Sequence, residues 1–341
     1  MASLEGEPNS SLSVLVIADP VAALNPGHDT SVALIESAQA RGHKVWTTVA
    51  SELSSDAGVA FSTCRRTRVV PCRLEQGRWV APDEWFTEGE DERLPVGGFD
   101  VVLMRTDPPV DAVYLRATYI LDLVDTSRTL LVNDPSGLRN LNEKLFATKF
   151  PELGPETLVT ASIDEVVDRV QVWGQAVLKP TDAMGGRGIL ILRDGDPNLV
   201  SILEMATGRG RDLVVVQRWI EGVIDGDRRV IVLDGRPIGS VRRVACDTDF
   251  RCNMATGAVT VSDTVTAVDE KICAALAPDL RRHGIVFAGI DVIGDLLTEV
   301  NVTSPTGVRE IDALTGSDLA TDIVSWIETA SEQLRSKAGD R

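Results

Sequence analysis

The stretch "VFAGIDVIGDLLTEVNVTSPTG", residues 286–307, decides how this chain is read. It holds two apolar strand-like segments, "VFAGIDVIG" and "LLTEVNV", each interrupted by acid or amide side chains. Successive side chains on a strand point to opposite faces, so Glu299 and Asn301 share one face while Val300 and Val302 share the other. Asp291 stands between apolar neighbours on the preceding strand. Three oxygen-bearing side chains on adjacent strands can surround a hard cation, and two carboxylates with an amide suit magnesium, which keeps waters and shares nucleotide phosphates. Without an ion, two carboxylates so close together would raise one another's pKa, and a divalent cation removes that conflict. Read alone, the fragment also fits an edge strand whose polar face meets water.

A second stretch, "VLKPTDAMGGRGILIL" (177–192), carries Gly185, Gly186 and Gly188 between two strands. Such a loop offers backbone N–H groups to phosphates with no side chain in the way. Its place between strands makes it a hairpin lid, unlike the strand-to-helix turn of a P-loop or dinucleotide fold. Neither GxxxxGK[ST] nor GxGxxG is present; the turn after the first strand is "ADPVAALNPG". A plain glycine-rich hairpin has the same appearance. Lys179 tips the reading, because a lysine leaving a buried strand beside such a loop can pair with a phosphate oxygen. Only 6 of the basic residues are lysines against 28 arginines, so each lysine stands out.

A chain of 341 residues has room for two or three domains. With 43% hydrophobic and 25% charged residues it has a globular composition. A formal charge of -17 argues against a nucleic-acid partner, which needs a basic face. No apolar run approaches the roughly 18 residues of a spanning helix, and "MASLEGEPNSS" lacks the basic-then-apolar pattern of a signal peptide. The expectation is a cytoplasmic protein without a membrane partner. Cys64, Cys72, Cys246, Cys252 and Cys273 are odd in number and lack metal-site spacing, which fits free thiols packed as small core hydrophobes.

Along the chain, "LSVLVIAD" (12–19) reads as a buried parallel strand. "DTSVALIESAQARG" follows as a helix capped by Thr30 or Ser31, with Val32, Ile35 and Ala38 on one stripe and Gly42 ending it. "HKVWTTVA" then completes a β-α-β opening. Residues 56–98 look irregular, with strand-like "TRVVPCRLE" and an acid-rich stretch. "FDVVLMRTDPP" is a strand halted by two prolines, followed by a helix with Val113, Ala117, Ile120, Leu121 and Val124 on one side, then "TLLVND". Residues 1–133 therefore form one doubly wound domain. "DPSGLRNLNEKLFATKF" (134–150) reads as a capped helix bearing Lys144 and Lys149, ahead of the strand "ETLVT", the helix "SIDEVVDRVQVW" and the lid hairpin. A softer boundary near 205 separates 134–205 from 206–341. This last segment carries strands from "DLVVVQRWI" onward, a polar loop at 245–259, a helix near 268–283, the two strands quoted first, and a closing helix at 317–335.

Lys144 in "NEKLFATKF", Lys179 in "LKPTDAMGG" and the set Asp291, Glu299, Asn301 together resemble an ATP-grasp ligase. More closely, "DPVAALNPGHDTS", "LMRTDPPVD", "NEKLF", "PETLVT", "DGDRRVIVLDG" and "GIDVIGDLLTEVNVTSPTGVREI" are similar to the bacterial glutathione synthetase family, over about residues 13–330. The resemblance implies an α/β ATP-grasp fold behind an N-terminal doubly wound parallel-sheet domain: 1–133 for substrate binding, 134–205 as lid or central subdomain, and 206–341 as catalytic subdomain. It implies that Lys144 and Lys179 bind ATP phosphates beneath the loop of Gly185, Gly186 and Gly188. The hinge of Gln217, Arg218, Trp219 and Ile220 would read adenine, and Asp227 would approach the ribose. Asp291, Glu299 and Asn301 would hold Mg2+, with Mn2+ as an alternative. Arg229 and Arg243 would bind the peptide's carboxylates and, with Asn301, form the catalytic set. Arg105 and Asp107 would close the other end of the substrate, Arg251 and Asn253 would lie in a loop over the acceptor, and Ser304, Thr306 and Arg309 would line the substrate end. Outside this context Arg229 and Arg243 read as solvated surface residues.

The implied reaction joins γ-glutamylcysteine and glycine into glutathione. ATP phosphorylates the cysteinyl carboxylate, the glycine amine attacks the acyl phosphate, and ADP and phosphate are released. No protein nucleophile is needed, so catalysis rests on positioning and on cations aimed at developing charge. The family implies a homodimer or homotetramer. Two regions depart from its pattern: the loop "CDTDFRCNMATGA" has fewer glycines, and the hinge carries Arg218 and Glu221. An ATP-grasp ligase joining a different acid and amine in specialised metabolism, and a catalytically silent nucleotide-binding regulator, therefore stay open at this point.

Overall fold

The computed structural model describes residues 11–246, 249–252 and 257–339. Asn253, expected over the acceptor, lies outside them. The first apolar run becomes β1 (Ser13–Ile17), and α1 (Thr30–Ala40) returns the chain to β2 (Lys44–Thr48), parallel to β1. Asp29, not Thr30 or Ser31, caps α1: its Oδ1 accepts from the N–H groups of Ser31 and Val32 at 2.6 and 3.2 Å. A carboxylate there also meets the positive end of the helix dipole.

The segment expected to be irregular is instead a set of antiparallel strands. β3 (Leu53–Asp56) and β4 (Val59–Val69) form a hairpin, β5 (Arg73–Glu75) and β6 (Arg78–Val80) a small separate one, and β7 (Phe86–Pro95) lies along β4. β7, "FTEGEDERLP", is exposed along nearly its whole length, so no apolar period marks it. β8 (Val101–Met104), α2 (Ala112–Leu121) and β9 (Leu130–Val132) complete a sheet ordered β3-β4-β2-β1-β8-β9, with β7 beside β4.

The helix expected over 134–150 stops early, at the end of α3 (Pro135–Asn140). Asn142 Oδ1 accepts from the backbone N–H groups of Lys144 and Leu145 at 3.1 and 3.0 Å. This side-chain turn takes the bonds a continuing helix would need. Lys144 thus sits in a turn, and Lys149 in the 3-10 turn Phe146–Lys149 that follows.

β10 (Thr157–Thr160), α4 (Ile163–Trp173), β11 (Gln175–Pro180), β12 (Leu190–Arg193), α5 (Leu199–Ala206) and β13 (Val214–Arg218) build the next unit, an antiparallel sheet ordered β10-β13-β11-β12. The boundary read near 205 falls between strands of this one sheet, because β13 pairs with both β10 and β11. Its core is its own: Val166, Val170, Leu178, Leu192, Leu203 and Val216 touch neither of the other two clusters.

β14 (Asp227–Leu233), β15 (Arg236–Val244), β16 (Val259–Ser262), α6 (Ala267–Arg282), β17 (Phe287–Ile293), β18 (Leu296–Asn301), α7 (Val308–Thr315) and α8 (Leu319–Gly339) complete the chain. The sheet order is β16-β15-β14-β17-β18. This unit shares its cores with the N-terminal one: Leu15 and Tyr114 pack in one cluster with Ile290 and Val300, and Val14 and Ile35 in another with Ile231 and Ile323. α8 lies on α1, and Glu328 fastens it by accepting from Arg41 Nε and Nη2 at 2.8 and 2.5 Å and pairing with His43 Nε2 at 2.8 Å.

Candidate active site

Four antiparallel strands carry the floor of the site. Register places Arg229 of β14 opposite Asp291 of β17, Asp291 opposite Glu299 of β18, and Asp227 of β14 opposite Arg243 of β15. Partners across a ladder share a face, so these five charged residues, with Asn301 two positions beyond Glu299, project from one side of the sheet. β18 is an edge strand, as the simplest reading of its polar pattern had it, yet that polar face opens into a cleft of ≈ 950 Å³. The lid hairpin, the loop at 249–252 and the N-terminal unit supply the other walls.

Asp291 is the hub of the floor. Its Oδ1 meets Arg229 Nε at 2.5 Å, and its Oδ2 meets Arg229 Nη2 and Arg243 Nη2, each at 3.0 Å. Burial alone would push this carboxyl up, but the two guanidinium groups outweigh it and hold it well below the usual carboxylate range. Asn301 Nδ2 lies 3.4 Å from Asp291 Oδ2. Asp227, expected beside the ribose, has its two oxygens on Arg243 at 2.7 and 2.5 Å. Burial pushes the Asp227 carboxyl up, while Arg243 stays firmly charged between two carboxylates. Arg229 also donates to the carbonyl of Thr306 at 3.1 Å. Gly307, with φ +126, permits that approach: a Cβ there would stand 3.2 Å from Arg229 Cγ in a backbone conformation side chains avoid.

Two lysines enter from different elements. Lys144 Nζ lies 3.2 Å from Glu299 Oε1 and donates to the carbonyl of Ala183 at 2.5 Å, so it links floor to lid loop. Asn142 Nδ2 adds a bond to the carbonyl of Thr181 at 3.0 Å. The ammonium of Lys179, near the end of β11, makes no hydrogen bond or ion pair among the described residues. Burial lowers its pKa, opposed by Glu299. An unpaired ammonium in a cleft favours an anion that replaces its lost hydration. Gly185, Gly186 and Gly188 all take positive φ in the loop between β11 and β12. Arg251 Nη1 reaches the carbonyl of Gly186 at 2.8 Å, and its guanidinium holds Asp249 down to about 2.

The cleft brings together most of the residues singled out in the sequence. Lys144, Lys179, Gly185, Gly186, Gln217, Arg218, Trp219, Ile220, Asp227, Arg229, Arg243, Arg251, Asp291, Glu299, Asn301, Asp107, Ser304 and Thr306 all line it. In the hinge, the N–H groups of Arg218 and Trp219 go to the carbonyls of Glu156 and Gln175, and Trp219 stands 6.3 Å from Phe250, centroid to centroid. Three expected residues do not line the cleft. Arg105 is buried behind the wall, donating to Ser31 Oγ at 3.2 Å and the Pro305 carbonyl at 3.0 Å, so it steadies the 304–306 loop from behind. Arg309 turns away to Glu36 at 2.6 Å, under the Trp79 ring. Gly188 packs toward Pro180.

Sequence reading also missed three residues of this cleft. Glu143 is beside Lys144; its Oε1 accepts from the N–H groups of Val302 and Thr303 at 2.9 and 3.1 Å and from Thr303 Oγ1 at 2.8 Å, fixing the end of β18. Its adjacency to Lys144 in "NEKLF" was the available signal. His28 and Glu310, 282 positions apart, meet across the cleft, and nothing local marks either.

A divalent cation fits the chemistry of the donor set, two carboxylates and an amide oxygen on one face of the sheet. Its binding would compete with the guanidinium groups for Asp291. Among the described residues no group of three His, Cys, Asp or Glu side chains offers a metal site.

The order of sheets and the lid over a charged floor define the ATP-grasp fold. Solved structures that share it include D-cycloserine synthetase DcsG, at a TM-score of 0.61 and 13% identity over 94% of this chain and 99% of that one. Another is the ATP-grasp ligase PsnB complexed with minimal precursor, Mg and ADP, at 0.59 and 15% over 94% and 98%. The family model of the prokaryotic glutathione synthetase N-terminal domain matches residues 12–139, and that of the prokaryotic glutathione synthetase ATP-grasp domain matches 143–316. The chain belongs to the prokaryotic glutathione synthetase family. Relatives named glutathione synthetase include those of Thermosynechococcus vestitus, 48% identical over 93% of this chain and 99% of its own, and Brucella melitensis, 40% identical over 91% and 96%. The protein is an ATP-dependent ligase that synthesises glutathione.

Proposed function

We propose that the residues of this cleft divide the family reaction among themselves as follows. Lys144 and Lys179 grip the ATP phosphates, with the glycine-rich loop folding over them through Gly185 and Gly186. The hinge from Gln217 to Ile220 seats the adenine. Asp291, Glu299 and Asn301 hold Mg2+, or Mn2+ in its place; when bound, the ion neutralises phosphate charge and orients the γ-phosphate. Arg229 and Arg243 face the cysteinyl carboxylate of γ-glutamylcysteine and stabilise charge that develops as it is phosphorylated. Asp227 is a positioning residue that aims Arg243. Arg251 and Ser304 border the place where the glycine amine attacks the acyl phosphate.

What supports this reading is the convergence on one cleft of an unpaired ammonium, a second lysine tied to Glu299, and an acid and amide set on one strand face. Neither step needs a protein nucleophile, and the cations are already fixed by Asp227, Asp291 and Glu299. A cytoplasmic homodimer or homotetramer without nucleic-acid or membrane partners belongs to the same proposal, and the charge of -17 speaks against nucleic acid. No helix among the described residues is long and apolar enough to cross a membrane.

Phosphate release from Mg-ATP, with γ-glutamylcysteine and glycine each omitted in turn, tests the proposal. Release that requires both is expected. Release with another amine and none with glycine would favour a ligase of different specificity, and silence with every pair would favour a nucleotide-binding regulator.

A further inference from the structure

The reaction constrains how the donor dipeptide lies. Its cysteinyl carboxylate must meet the phosphate, so it belongs near Lys179 and the floor. The amino-acid head of the γ-glutamyl group, carrying an α-ammonium and an α-carboxylate, must then extend toward the N-terminal wall. A buried zwitterion needs a cation and an anion of matching spacing.

The residues of the first 133 that line the cleft are Asp19, Pro20, Ala23, Leu24, Asn25, His28, Asp29, Asp107 and Pro108. Of these, His28 alone can carry positive charge. Asp29 is committed to capping α1, and Asp19 accepts from the Asp107 N–H at 3.3 Å. Across the cleft, Glu310 in the first turn of α7 meets His28 Nδ1. The second oxygen of that carboxylate, Oε2, is buried without a hydrogen-bond partner among the described residues. The other ring nitrogen of His28 also has none. Both are therefore open valences on opposite members of one ion pair. The pair stands close to the floor, since Arg229, which bonds Asp291, reaches the Thr306 carbonyl four residues before Glu310. Glu310 raises the His28 pKa against the opposing effect of burial, with Asp29 adding to the rise and Arg229 resisting it.

We infer that His28 and Glu310 form the subsite for the zwitterionic head of the γ-glutamyl group: Glu310 Oε2 accepts from the α-ammonium, and His28 Nε2 donates to the α-carboxylate. This inference rests on the reading of the cleft given above. The pair thereby sets donor specificity, since a buried site built for charged hydrogen bonds rejects analogues that lack them. It also makes the subsite bipartite, one half from each end of the chain.

Two analogues separate the halves. Glutarylcysteine lacks the α-ammonium, and 4-aminobutyrylcysteine lacks the α-carboxylate. In Glu310→Gln, KM for γ-glutamylcysteine is expected to rise about 10- to 100-fold, the worth of one charge-assisted hydrogen bond, while KM for glutarylcysteine stays near its wild-type value. In His28→Gln the same rise is expected for γ-glutamylcysteine and glutarylcysteine but not for 4-aminobutyrylcysteine. KM for ATP should not move in either variant. A rise shared equally by all three donors, as a purely structural latch would give, overturns the assignment, and so does a KM for γ-glutamylcysteine within twofold of wild type in both variants. Failure of the wild-type protein to release phosphate with γ-glutamylcysteine and glycine would instead remove the underlying reading. Thermal unfolding of both variants checks that each is folded during the assay.

Discussion

Arg228 and Arg229 are neighbours on β14, each 6% exposed and each paired with an aspartate, yet they serve different parts of the molecule. Arg228 faces α6, where its Nε donates to Asp269 Oδ1 at 3.0 Å. The other oxygen of Asp269 accepts from Thr266 N–H and Oγ1 at 2.8 and 2.9 Å, closing the cap of that helix. Arg229 faces the cleft, and its aspartate is shared with Arg243 and Asn301 while Glu299 stands across the ladder. Burial and pairing therefore do not separate a structural ion pair from a reactive one. The difference lies in what surrounds it: a closed set of partners on one face, and competing partners beside an unpaired ammonium on the other. Strand periodicity alone assigns the two arginines to opposite sides.

Several substitutions probe that contrast, beginning with the strongest. Glu299→Gln and Lys179→Met should each lower turnover on the order of 100- to 1000-fold, the usual cost of removing a group aimed at developing charge, with the thermal midpoint nearly unchanged. Asp269→Ala should do the reverse. It strands the Arg228 guanidinium in the core, at a cost of about 3–5 kcal/mol by denaturant unfolding, while the folded protein keeps its kcat/KM. If the Asp269 and Glu299 variants lost the same property, the distinction between the two faces would collapse.

Glu328 extends the comparison to a third buried cluster, remote from the cleft. Hydrogen bonding from Arg41 lowers its pKa, with His43 adding to the effect against burial. A depressed folded-state pKa means that its stabilisation is complete above the unfolded value for glutamate and disappears as pH falls through the folded value. Wild type should therefore exceed Glu328→Gln in stability at neutral pH, with the gap closing in acid below about pH 4 and catalysis unaffected at pH 7. A gap that persisted undiminished at pH 2 would show that packing, not charge, secures α8 to α1.

The cysteines give the mildest test. Burial pushes the thiols of Cys64, Cys72 and Cys252 up to about 11 and that of Cys273 to about 12. At pH 7.5 all four should resist iodoacetamide in the folded protein and react after unfolding. Cys252 lines the cleft whereas Cys273 sits on the buried face of α6, so rapid native labelling of Cys252 alone would mark the cleft wall as more open than its geometry indicates.

Elements with an apolar period were legible in the sequence: β1, β8, β11, β17 and β18 all stand where continuous or alternating apolar runs put them. β7 was not, because its ladder is made by the backbone while every residue from Thr87 to Arg93 is exposed. The helix around Lys144 was misjudged because Asn142 competes for the backbone through its side chain, a choice that periodicity does not record. Most cleft residues were found through the strand-face rule and the resemblance. Arg105 and Arg309 share motif company with true lining residues but point elsewhere, since side-chain direction depends on partners such as Pro305 and Glu36 that lie far along the chain. His28 and Glu310 illustrate the converse, a pair made only by tertiary structure.

Calorimetry with Mg2+ and a non-hydrolysable ATP analogue tests the central claim most directly, that the polar face of β17 and β18 and the two lysines form one metal-nucleotide site. The wild-type protein and the Asp269→Ala variant should bind the analogue with a strong dependence on Mg2+, and Glu299→Gln should lose that dependence. Mg2+-dependent heat of the same size in Glu299→Gln, or no binding by the wild type, would contradict the claim.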